Sequence, residues 1–178
     1  MLADPRQSCI VFVNLTREAA SDGNDAFLAR RRGSLHLLSL CRDLFAIPQT
    51  AVGEYDGKLL PSDATTSIEY LKIGAFSMWQ DPELSERLDR SGVDTIFLGG
   101  AFLEEEVLIS ALEGARRGYD VRLLLDLSIS RNEFDRTLVL ARLAHHGILA
   151  TTLRQALLEW SVTSGDLAAI RKIQDFLS

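Results

Sequence analysis

Short apolar runs alternate with stretches of helical periodicity along this chain, and that alternation limits the fold more than any other feature of the sequence. Residues 9–13 (CIVFV) are almost continuously apolar. A strand buried on both faces of a parallel sheet has this pattern. Further runs follow at 48–53, 67–73, 95–98 (closed by Gly99-Gly100), 121–125 (closed by Asp126) and 147–150.

The intervening segments have recognisable helix ends. Residues 35–45 carry Leu37, Leu38, Cys41, Leu44 and Phe45 at helical spacing, with Ser34 as the cap. Asp81-Pro82 reads as an N-cap followed by proline at the first helical position, and Gly92 as the stop. Residues 103–117 set Val107, Leu108, Ala111, Leu112 and Ala115 on one face and stop at Gly118. Glu104, Glu105 and Glu106 occupy the first turn, where the helix dipole favours negative charge. Helices are also expected over 132–146, over 153–160 with Thr151 or Thr152 as cap, and from Ser164-Gly165-Asp166 to about residue 177. Polar residues 17–32 read as a loop, with Arg30-Arg31-Arg32 as a solvated face. Strand–helix alternation implies right-handed crossovers. The expected architecture is therefore α/β: a three-layer αβα domain over residues 1–178, with a doubly wound, mostly parallel six-stranded sheet. Such sheets bind ligands outside the carboxyl ends of the strands. Those ends point to Asn14, Lys72, residues 99–106 and residues 126–130.

Composition removes several classes of function. A net charge of −6 argues against a broad surface for nucleic acid or anionic membrane. No apolar run reaches the length of a bilayer span or resembles a signal core, so a cytoplasmic location is expected. Cys9 and Cys41, the two cysteines, cannot make a disulfide framework and read as free thiols. The phosphate-binding G-x-x-x-x-G-K-[ST], the dinucleotide G-x-G-x-x-G and the nucleophile elbow G-x-S-x-G are all missing. His145-His146 are adjacent at a helix end, His36 stands alone, and no cysteine–histidine pair has zinc spacing. No metal and no cofactor is expected.

The stretch SGVDTIFLGGAFLEEEVLISALEGARRGYDVRLLLDLSIS, continued by HHGILATTLRQALLEW, resembles the isochorismatase-like (cysteine hydrolase) superfamily. Gly118-Tyr119 and Asp126 fit its frame. YLKIGAFSMWQDPELSERL is similar to the segment carrying the catalytic Lys or Arg in the YcaC-like branch, and CIVFVNLT stands where the family has its first strand and catalytic Asp. The resemblance implies a Cys thiolate that attacks a carbonyl or amide carbon, an Asp that takes the thiol proton, and a Lys or Arg that holds charges in position. Counted back from Gly118-Tyr119, the Cys position falls on Glu106; the Asp position falls on Asn14 and the Lys position on Lys72. The turn before the nucleophile, where the family often has a cis peptide, is Gly100-Ala101-Phe102. The metal-binding Asp-x-His of the nicotinamidase branch is missing, since the chain reads VGEYDGK there. The resemblance also implies a small-molecule cleft, with Phe76, Ala101 and Phe102 as lining, and a homo-oligomer, with Trp160 as one residue that could face a partner subunit.

The two replacements change the chemistry. A carboxylate attacks amides far less well than a thiolate, and an asparagine amide is no general base at neutral pH. Charges in a cleft are normally paired, so an ion pair between Lys72 and Glu106 is expected, with Asn14 hydrogen-bonded to it. Three functional readings follow: a family member without cysteine-hydrolase turnover that binds a small molecule or partner; a hydrolase of amides or vinyl ethers using Glu106 and Lys72; and an interaction protein keeping only the family's assembly interface.

Overall fold

A computed structural model describes residues 1–18, 25–73 and 77–177. The elements run β1 (Ser8–Val13), α1 (Asp25–Phe45), β2 (Gln49–Val52), α2 (Ser62–Thr65), β3 (Glu69–Leu71), α3 (Pro82–Ser91), β4 (Thr95–Ala101), α4 (Leu108–Arg116), β5 (Asp120–Ile129), α5 (Glu133–His145), β6 (Leu149–Thr151), α6 (Leu153–Ser164) and α7 (Leu167–Leu177). The strands form a six-stranded sheet in the order β3-β2-β1-β4-β5-β6, and every pairing is parallel. Each expected strand is present. The central β1 and β4 are buried at every residue, as their continuous apolar runs require.

Two cores flank the sheet. On one face Phe12, Leu38, Cys41, Phe97, Leu157 and Trp160 pack together under α1 and α6. On the other, Val11, Met78, Trp79, Leu98, Val107 and Val139 pack under α3, α4 and α5. Trp160 is fully buried. Its ring meets Phe97 edge-on at 4.9 Å, and its Nε1 donates to Ser8 Oγ at 3.2 Å. It does not face a partner subunit as expected, because a large indole at the middle of an inward helix face is a core residue. Met78 and Trp79 are likewise packing residues, with Trp79 stacked on Tyr119.

Most helix ends fall where the cap chemistry sets them. The Asp81 carboxylate accepts from the Glu83 and Leu84 amides, Asn132 caps α5, and Thr152 with Gln155 forms a capping box on α6. The expectation of a loop over 17–32 fails in its second half, since α1 starts at Asp25. Residues 19–24 lie outside the described ones. Ser34 is therefore inside a helix and caps nothing; its hydroxyl donates instead to Asp126 at 2.7 Å. β4 and β5 also run longer than expected, and the extra length carries both strands into the candidate site. Trp160→Ala is expected to cost about 3–5 kcal/mol of stability, read as the shift in urea unfolding, because it empties a fully buried indole site.

Candidate functional site

β1, β2 and β4 deliver their carboxyl ends to one place. Val13 pairs with both Val52 and Gly100. At Gly100 the backbone has φ +128°, and a Cβ there would lie 1.8 Å from the Val13 carbonyl oxygen. Only glycine admits this approach. The next peptide, Ala101–Phe102, is cis. A short turn, Leu103–Val107, kinked at Glu105 where the backbone is not helical (φ −113°, ψ −114°), then carries Glu104, Glu105 and Glu106 before α4 begins.

Asn14, directly after β1, is 5% exposed and holds a left-handed backbone, φ 52°. Asn tolerates that conformation better than most residues. Its Oδ1 accepts from the Glu54 amide at 2.8 Å, and its own amide donates to the Val52 carbonyl at 2.9 Å. Gly53 lies beneath: a Cβ there would be 2.1 Å from Asn14 Oδ1. The Asn14 amide thus ties the turn after β1 to the turn after β2.

Glu106 does not meet Lys72. Lys72 lies just beyond the edge strand β3, is exposed, and makes no ion pair among the described residues. The cation at Glu106 is Arg17. Its Nη1 donates to both Glu106 oxygens, at 2.9 and 3.0 Å, while its Nε and Nη2 both donate to Glu54 Oε1 at 3.0 and 2.7 Å. Glu105 is 4.0 Å from Arg17 and 2.9 Å from Arg131. Glu104 Oε1 accepts from the Arg131 and Asn132 amides at 2.7 and 2.9 Å, which joins the turn to the start of α5. The Phe102 ring is buried and has two guanidinium groups over it, Arg17 at 5.6 Å and Arg131 at 4.3 Å. Ala101 is fully buried; Phe76 lies outside the described residues.

Hydrogen bonding to Glu54, first of all, raises the Arg17 guanidinium further above its high ordinary value; partial burial opposes this and Glu106 adds to it. In return Arg17 holds the Glu54 carboxyl below the usual carboxylate range. Sequence reasoning passed over Arg17, although its place three residues beyond Asn14, at a strand's carboxyl end, was a usable signal. Geometry accounts for the swap: Asn14 O accepts from the Arg17 amide at 3.0 Å, so a tight turn brings Arg17 back over the site, while β3 sits at the sheet edge.

Neither thiol is at this site. Cys9 lies within β1, where burial pushes its thiol up to about 12; Cys41 is fully buried in α1, and burial raises its thiol too. Asp126 is buried on β5, where the register with β4 shifts. It accepts from Ser34 Oγ and, with both oxygens, from the Leu153 amide at 3.2 and 3.1 Å, so it positions α6. Burial lifts its carboxyl above the ordinary 3.8, against the opposing hydrogen bonds from Ser34 and Leu153. Among the described residues no group of His, Cys, Asp or Glu is arranged to hold a metal, and no helix is long and apolar enough to cross a membrane.

Arg17→Met is expected to cost about 1–3 kcal/mol in urea unfolding, because it leaves the largely buried Glu106 carboxylate without its guanidinium partner. For Asp126 the folded state binds the proton more tightly than the unfolded chain. Its favourable contribution is therefore complete at low pH and is lost as pH rises from 3.8 through the raised folded value. Asp126→Asn, which cannot ionise, is expected to gain on the wild type over that rise; parallel pH–stability curves would contradict the raised value.

A family model for the isochorismatase domain matches residues 43–155. Among solved structures, MAR1 ribonuclease from Caenorhabditis elegans is 19% identical, with a TM-score of 0.79 over 98% of this chain and 91% of the other. YcaC from Escherichia coli, described as an octameric hydrolase of unknown specificity, is 19% identical, with a TM-score of 0.74 over 97% and 89%. YcaC from Pseudomonas aeruginosa, solved with hexane-2,5-diol and covalent acrylamide, is 17% identical, with a TM-score of 0.72 over 99% and 98%. At these identities the structures share the fold. No curated protein matches the chain.

Proposed function

Since the chain belongs to the isochorismatase family, we propose that it is a member without cysteine-hydrolase turnover, one that uses its cleft to bind a small molecule. The observation that carries this reading is the absence of a usable thiol. Both cysteines are sealed in the core with raised thiol values, and a thiol at the ordinary value is already a weak nucleophile at neutral pH. Glu106, at the position assigned to the nucleophile, has both oxygens engaged by Arg17.

Asn14 offers no replacement base, because its Oδ1 is committed to the Glu54 amide and an amide does not take up a proton at neutral pH. A role for Glu106 as general acid would need a proton on an oxygen that now accepts from Arg17, so that contact would have to break first. Lys72, the remaining triad position, is exposed and available to an incoming ligand. The chain self-associates in this reading, as the octameric E. coli YcaC does, and works in a reducing cytoplasm where both thiols stay free.

Wild-type protein is expected to hydrolyse simple primary amides and aryl esters no faster than buffer. It should also leave both cysteines unlabelled by an aromatic disulfide reagent until it is unfolded. Amide turnover that disappears in Glu106→Gln would overturn the reading in favour of an altered hydrolase. Turnover gained in the double variant Glu106→Cys, Asn14→Asp would support the assignment of both positions; in that variant the new carboxylate still accepts from the Glu54 amide.

A further inference from the structure

α5 carries a row of side chains that nothing among the described residues covers. Its inner face buries Val139 and Leu143. On its outer face Phe134 is 88% exposed and Leu138 70% exposed. Ala141 and His145 continue the same row and are also exposed. Positions 134, 138, 141 and 145 alternate steps of four and three, the spacing of a two-helix seam. Phe134 and Leu138 are large apolar residues one turn apart, where an isolated surface helix would carry charge.

The flanks of this row select its partner. On one side lie Thr137 and Ala144, both small and exposed, which let another helix approach closely. On the other lie Asp135 and Arg142, one at each end, and Arg142 has no ion-pair partner among the described residues. The first turn is acidic, with Glu133 and Asp135; the last is basic, with Arg142 and His145. A second α5 laid antiparallel brings opposite charges together, whereas a parallel one brings like charges together.

We propose that α5 is a self-association seam, packing antiparallel on α5 of a second copy of this chain about a two-fold axis. Phe134 lies against the partner's His145, Leu138 against the partner's Ala141, and Asp135 faces the partner's Arg142. Two-fold symmetry repeats each contact, as an isologous interface requires. This assignment rests on the self-association reading and adds the surface and its direction.

Light scattering across a dilution series tests both, with circular dichroism and melting curves to confirm that each variant folds. Wild type is expected to be an oligomer of even order, and Leu138→Asp to halve its mass. Asp135→Lys and Arg142→Glu are each expected to raise the dissociation constant about tenfold, and the double variant to restore it. A monomeric wild type would sink self-association and the seam together. An oligomeric wild type whose mass Leu138→Asp leaves unchanged would keep self-association and overturn the seam. Charge reversals that weaken singly and stay weak in combination would overturn the antiparallel direction.

Discussion

The site depends on one close approach, the passage of β4 over the Val13 carbonyl at Gly100. A side chain at this position would collide with the backbone of β1, so β4 could not continue alongside it. With glycine there, β4 stays paired through Gly100 and delivers the cis turn and the kinked acidic turn over the ends of β1 and β2. Arg17 can then reach Glu54, Glu105 and Glu106 from one position.

That position fixes the electrostatics. Three consecutive glutamates at a helix start would repel one another if left in solvent, and the helix dipole offsets only part of this. Here each has its own donors: backbone amides for Glu104, Arg131 for Glu105 and Arg17 for Glu106. Phe102, with both guanidinium groups over its ring, supplies an aromatic face for both cations. The acidic turn serves as the joint between the strand ends and the start of α5 as well as occupying the candidate site.

The fold was legible in the sequence because its signals are local. Continuous apolar runs marked the buried strands β1 and β4, and cap residues at Asp81, Asn132 and Thr152 marked helix starts. The start of α1 was not legible, because Arg30-Arg31-Arg32 and Gly33 interrupt its apolar pattern and Ser34 offered a cap signal directly before the stripe that begins at Leu35. Asn14 and Glu106 were readable as residues that follow strand ends, but the pairing between charges was not. A sequence shows how many cations are available; which one reaches a carboxylate depends on the turn after β1 and on which strand lies at the edge. Lys72 lost to Arg17 because β3 is outermost.

Asn14 shows how a residue at a strand end can serve structure. A left-handed backbone, a buried side chain and a bond to the Glu54 amide all suit asparagine. An ionised aspartate in that place could make the same bond, but it would add a buried charge beside Glu54 and Glu106, with Arg17 already shared among three carboxylates. Neutrality at position 14 and a carboxylate at position 106 are therefore linked. With Arg17 fixed above the strand ends, the local charge favours acid at 106 and disfavours it at 14, so one arginine accounts for both residue types.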